Sequence, residues 1–96
     1  MISSKQRSFL RGLANPLEPI FQVGKGGVSE SSAQALSDAL TARELIKVRV
    51  LKNLGEDPRA VAEELAQATG ATVIQVIGQN VILYRRNEEE PVIELP

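Results

Sequence analysis

Apolar positions along this chain alternate between helical and strand spacing, and the alternation sets the element order. Phe9, Leu10 and Leu13 recur as one helical stripe, with Ser3 or Ser4 as the N-cap. Lys5, Arg7 and Arg11 fall largely off that stripe and are expected in water. Gly12 inside the pattern costs about 1 kcal/mol against alanine and weakens the last turn. Asn15-Pro16 and then Pro19 end the helix. Ile20-Phe21-Gln22-Val23 follows as a short strand, because branched and aromatic side chains suit a pleated surface.

A second helix starts at Ser29, with Val28 and Ala33 as its hydrophobic staple and Leu36 and Leu40 on its inner face. Leu45 to Leu51 then alternates: Ile46, Val48 and Val50 on one side, Lys47 and Arg49 on the other. That period of two predicts one buried face and one face that is exposed or partly covered. Asp57-Pro58 is an N-cap followed by proline at the first helical position. Val61, Leu65 and Ala68, with Ala62 and Ala66 beside them, form the inner face, and Gly70 caps the end. Thr72 to Ile77 and Val81 to Arg85 are two strands joined by the hairpin Gly78-Gln79-Asn80. The predicted order is α-β-α-β-α-β-β, an α/β fold with a four-stranded mixed sheet covered by helices mainly on one face. Residues 1–86 form a single domain, and 87–96 an acidic tail that either adds an edge strand or stays loose.

Composition narrows what such a domain does. The chain has 96 residues with no cysteine and no histidine. Thiolate chemistry, disulfides and Cys/His zinc sites are therefore excluded, and the commonest general base is missing. An enzyme would have to work through carboxylates such as Glu63 and Glu64, which point about 100° apart on a helix and do not converge. No cofactor or metal is expected. No stretch approaches the roughly 20 apolar residues of a membrane span, and no apolar N-terminal run resembles a signal peptide. A cytoplasmic chain with no membrane contact is the expectation.

The net charge of −1 conceals an asymmetry. Residues 1–55 carry eight Lys/Arg against four Asp/Glu, whereas residues 56–96 carry three against eight. The first half alone favours a polyanionic partner.

The run VGKGGVSE, Val23 to Glu30, sits where a strand meets a helix. Gly24, Gly26 and Gly27 allow another molecule close to the backbone, the helix N-terminus supplies N–H donors, and Lys25 adds a charge. Gly24-x-x-Gly27 is also the spacing with which KH-type domains clamp nucleic-acid backbone. No Gly-Lys-Ser/Thr closes a nucleotide-binding loop, and the dinucleotide fingerprint is incomplete. Taken alone, the run reads more readily as a turn. Lys47, Arg49 and Lys52 form a second basic element and Arg7 and Arg11 a third. Phe9, Phe21 and Tyr84 are the only aromatic residues, so base stacking of the RNP type is not expected.

With KQRSFLRGLA, VGKGGVSE, ELIKVRV, TGATVIQVIGQNVILYR and IELP in this order, the chain resembles the CRM domain family, and most closely its stand-alone bacterial YhbY-type form. The resemblance implies the same fold, related to KH-like domains and to the C-terminal domain of translation initiation factor three. It further implies RNA binding, association with the large ribosomal subunit precursor, and no catalysis. The family's GxxG loop falls on Gly24, Lys25, Gly26 and Gly27, and its basic positions on Arg7, Arg11, Lys47 and Arg49. Asn15 and Arg43 stand where the family usually has histidines, and Gln79 where it usually has a lysine. A monomer contacting large-subunit rRNA or a pre-ribosomal particle is the expectation. The alternative is a protein-interaction adaptor on such particles, using an exposed strand edge near the acidic tail.

Overall fold

The computed structural model describes residues 2–24 and 26–96. Its order is α1 (Ser4–Ala14), β1 (Phe21–Val23), α2 (Glu30–Arg43), β2 (Leu45–Val50), α3 (Pro58–Thr69), β3 (Thr72–Ile77) and β4 (Asn80–Tyr84). A short 3-10 turn, Lys52–Leu54, lies between β2 and α3. The helix starts follow the local chemistry. Ser3 and Gln6 exchange side-chain and backbone hydrogen bonds at the head of α1, both 3.1 Å. Ser29 and Ser32 do the same for α2, and Asp57 with Pro58 opens α3.

The sheet order is β1-β2-β4-β3, with β1 parallel to β2 and the other pairs antiparallel. The alternation of β2 gives the sheet two chemically different faces. Ile46, Val48 and Val50 join Val23, Val81 and Leu83 in the main core, against Leu36 and Leu40 of α2 and Val61, Ala62 and Leu65 of α3. On the opposite face Leu45, Ile74, Ile82 and Tyr84 pack under Leu10 and Ala14 of α1. Two of the three helices thus share one face and α1 takes the other.

Three expected faces shift. On α1 the buried positions are Leu10 and Ala14, whereas Phe9 and Leu13 are 39% and 40% exposed. Helical spacing is satisfied by either pair, and the phase is set by which side meets the sheet. On α3, Ala68 is exposed and Thr69 is buried, its hydroxyl donating to the Leu65 carbonyl at 2.7 Å. Arg7, expected in water, lies half-buried and donates to the carbonyls of Val73 and Ile74 at 2.8 and 3.0 Å. Those carbonyls mark an irregularity in the ladder: Val73 pairs with Leu83 and Gln75 with Ile82, which leaves Ile74 as an extra residue. The guanidinium satisfies the bulge.

Residues 87–96 form no strand. They cross the α1 face, where Ile93 and Leu95 pack on its core, and Glu44 holds them there. Glu44 is completely buried and adopts φ 65°, ψ −37°, a left-handed turn between α2 and β2. Its carboxylate accepts from the backbone N–H groups of Asn87 at 2.6 Å, Val92 at 2.8 Å and Ile93 at 2.5 Å. Burial alone would raise the carboxyl pKa, but these donors and the Arg86 charge outweigh it and hold the group below the ordinary range. Beside it, burial first and the Glu44 charge second push the Tyr84 phenol up. Arg85 ties the same end together, donating to Ser37, Thr41 and the Thr69 carbonyl at 2.6–2.9 Å.

Candidate nucleic-acid interface

At the opposite end of the sheet three connections converge. The glycine run leaves the C-terminal end of β1, the 3-10 turn leaves β2, and the hairpin tip joins β3 to β4. Leu51 N–H donates to the Val23 carbonyl at 2.8 Å, which fixes the second connection beside the first. The Val50 N–H donates to the Gln79 carbonyl at 2.7 Å, and Gln79 Nε2 donates to the Val50 carbonyl at 2.6 Å. The hairpin tip is thus pinned by Gln79.

The glycines of the first connection serve different purposes. A Cβ at Gly24 would sit 3.0 Å from Leu51 Cδ1, a tight contact that a larger residue could keep only if the Leu51 side chain shifted. Gly27 has φ +65°, a conformation that side chains rarely adopt. Gly26 has neither constraint: a Cβ there would meet nothing within 4 Å. Within the chain, nothing described requires Gly26 to be glycine.

The donors of the loop are less free than sequence suggests. The N–H groups of Gly26 and Gly27 both donate to the Gly24 carbonyl, at 3.0 and 2.8 Å. Ser32 N–H is taken by the Ser29 hydroxyl, and Glu30 already places a carboxylate in the first turn of α2. The helix N-terminus is therefore a poor anion cradle by itself. Attraction for a polyanion must come from side-chain cations around open backbone.

The predicted residues divide into three groups. Gly24, Gly26, Gly27, Lys52 and Arg49 gather at the loop end. Lys52 and Arg49 are exposed, Arg49 pairs in register with Gln22, and Gln22 is two residues from Gly24. Lys47 is one row further along the sheet, half-buried, its ammonium donating to the Asn15 carbonyl at the end of α1 at 3.3 Å. It neutralises the helix terminus as well as facing the surface. Arg11 is exposed, one turn along α1 from Arg7. Arg7 itself is committed to the β3 bulge. Lys25 lies outside the described residues.

Among the described residues there is no grouping of His, Cys, Asp and Glu that could hold a metal ion, and no helix long and apolar enough to cross a membrane. A surface depression of about 800 Å³ between α2 and α3 is lined by Glu30, Ser31, Gln34, Ser37 and Ala68. It brings a carboxylate rather than a cation to its surface.

Comparison with known proteins fits this geometry. The CRS1 / YhbY (CRM) domain model matches residues 2–85. The chain belongs to the CRM domain family. This CRM domain is 48% identical over 96 residues to the Bacillus subtilis protein named "Probable RNA-binding protein YqeI", with both chains covered in full. It is 37% identical over 95 residues to a Haemophilus influenzae protein named "RNA-binding protein", covering 99% of this chain and 95% of that one. The solution structure of a hypothetical Staphylococcus aureus protein, described as a candidate RNA binder, superposes with a TM-score of 0.83 at 46% identity and full coverage of both chains.

Sequence reasoning did not find Glu44, Arg85 or the Gln79 bridge. Each acts through contacts 16 to 49 residues apart along the chain, and nothing local distinguishes them from surface polar residues.

Proposed function

We propose that this CRM domain binds RNA by gripping its backbone at the loop end of the sheet. The observation that carries the reading is Gly26, a glycine that no described contact within the chain requires, next in sequence to Lys25 and at the end of the sheet where Lys52 and Arg49 are exposed. Open backbone flanked by exposed cations suits a ribose-phosphate chain, whose phosphates accept from both. Gly24, Lys25, Gly26 and Gly27 form the clamp, with Lys52, Arg49, Lys47 and Arg11 as the surrounding positive field. The names of the relatives support RNA as the ligand. The family resemblance extends the proposal to large-subunit rRNA during ribosome assembly in the cytoplasm, with no catalytic step.

The test is equilibrium binding to large-subunit rRNA fragments over a range of salt. Lys25→Glu with Gly26→Asp should abolish binding while leaving the thermal midpoint unchanged. Removing one phosphate contact, as in Lys52→Gln, should flatten the log–log salt slope by about 0.7 for single-stranded RNA. Unchanged affinity and slope in the double variant would remove the loop from the interface.

A second reading, a protein adaptor, has its own observation. Phe9, Leu13 and Leu17 form an exposed apolar line along and just past α1, 37–40% exposed. The strand edges offer less: β1 has three residues, and Arg7 occupies the bulge carbonyls of β3. Co-sedimentation with ribosomal precursors that survives Lys47→Glu/Arg49→Glu but is lost in Phe9→Ser/Leu13→Ser would favour the adaptor.

A further inference from the structure

The α1 face of the sheet is a series of rows running across the strands, and the rows differ in what covers them. Leu45, Tyr84 and Thr72 share one row through their registers, with Leu45 and Tyr84 buried in the second core. Lys47, Ile82 and Gln75 share the next; Ile82 is buried and Lys47 is held by the end of α1. Among the described residues, the last row is the only one on this face that crosses all four strands. Gln22 pairs with Arg49, Arg49 with Asn80, and Asn80 with Ile77. Gln22 and Arg49 are exposed, Ile77 is 51% exposed, and Asn80 is half-buried.

This row has the chemistry of a base reader. Three inter-strand steps of about 4.8 Å make it roughly 14 Å wide. Four-stranded sheets of that width present two or three unpaired bases in RNP-type domains, there by aromatic stacking. Here the residues are an amide, a guanidinium, a second amide and an aliphatic side chain. Arginine pairs in two-point fashion with guanine edges, and asparagine or glutamine with adenine edges. No Asp or Glu stands in this row or in the Lys47 row, so a phosphate chain meets only neutral and positive groups. Solvation alone accounts for Gln22 and Arg49. It does not account for Asn80, whose carboxamide oxygen is shut away from water with no hydrogen-bond partner in the described structure. Of the row's amides, Asn80 therefore gives up least by turning toward an outside donor.

We propose that Gln22, Arg49 and Asn80 read the base edges of single-stranded RNA whose backbone is held at the adjacent glycine loop. The inference rests on the RNA-backbone reading above and adds sequence preference to it. Paired RNA is excluded as the substrate of this row, because an A-form helix hides the edges that these side chains would contact.

The experiment measures affinities for a set of unstructured RNA decamers that differ only in a central three-base block. The wild-type domain should separate the best from the worst by about tenfold, the discrimination that one two-point pair supplies. Gln22→Ala with Asn80→Ala should narrow the spread by removing the preference for adenine, keep the guanine preference that Arg49 carries, and leave the salt slope unchanged. Gly26→Asp should weaken all decamers together and preserve their ranking. Gln22→Ala alone, at an exposed position, keeps the test valid should Asn80→Ala fail to fold, and it should narrow the spread in part. An unchanged spread in the variants, or no spread in the wild type, overturns base reading while leaving the backbone grip standing. Absence of binding to every decamer and to rRNA fragments overturns both.

Discussion

The two ends of the sheet are built on opposite principles. At the end where β2 begins, charged side chains are tied down: the Glu44 carboxylate holds three backbone donors and Arg85 bridges α2 to the end of α3. Among the neighbouring polar groups the buried Tyr84 hydroxyl alone is without a partner in the described structure. At the end where β2 finishes, Gly26 has open space around it, Lys52 and Arg49 are exposed, and Asn80 keeps an unused acceptor. Rigidity and availability are separated along one strand. The two ends are linked through one strand, in which Leu45 of the tied end and Arg49 of the open end lie on the same face.

The sharpest way to break that contrast is to cut the tied end. Glu44→Ala removes three charge-assisted hydrogen bonds to part-buried tail N–H groups, each worth about 1.5–3 kcal/mol and less where water takes the place of the carboxylate. A loss on the order of 4 kcal/mol in denaturant unfolding is expected, with fast hydrogen exchange at Asn87, Val92 and Ile93. The fraction that remains folded should bind RNA unchanged, since the loop end is untouched.

Titration separates the ends next. The folded Glu44 carboxyl has its pKa lowered from the ordinary 4.5, so the unfolded chain takes up the proton first as pH falls. Its stabilisation is complete above the ordinary carboxylate range and is lost as pH drops below 4.5 toward the lower folded value. The thermal midpoint of the wild type should therefore fall in acid, and Glu44→Gln should lack that component. A variant that keeps the full acid dependence would deny Glu44 this role.

The smallest effect lies on α1. A Cβ at Gly12 would meet nothing within 4 Å, so Gly12→Ala should stabilise the domain by about 0.5–1 kcal/mol in denaturant unfolding. Binding should not change. A loss of RNA affinity would extend the interface onto the outer side of α1.

Much of this contrast is legible in the chain, unevenly. Element order, the three N-caps and the two faces of β2 follow from interactions within a few residues, and these are what periodicity and capping chemistry report. The glycine loop stands out for the same reason, and so do Lys47, Arg49 and Lys52. What escapes is long-range. Arg7 reads as a solvated cation because the bulge it satisfies lies 66 residues away. Phe9 and Leu13 read as inward because helical spacing fixes a stripe but not its phase. Glu44 reads as the first residue of a strand motif, and the buried carboxylate becomes visible only once the tail folds back across 43 to 49 residues. The roles of the individual glycines are likewise invisible in a run of three, since Gly24 packs tightly against Leu51, Gly27 has a positive φ, and Gly26 has neither constraint.

The central claim is that RNA meets the open end of the sheet. Backbone amide shifts followed during titration with a large-subunit rRNA fragment test it most directly. The account predicts the largest changes at Gly24, Gly26, Gly27, Arg49 and Lys52, with Glu44 and the residues around the tail unmoved. Changes concentrated on α2 and α3, or along the tail, with the glycine loop silent, would contradict it.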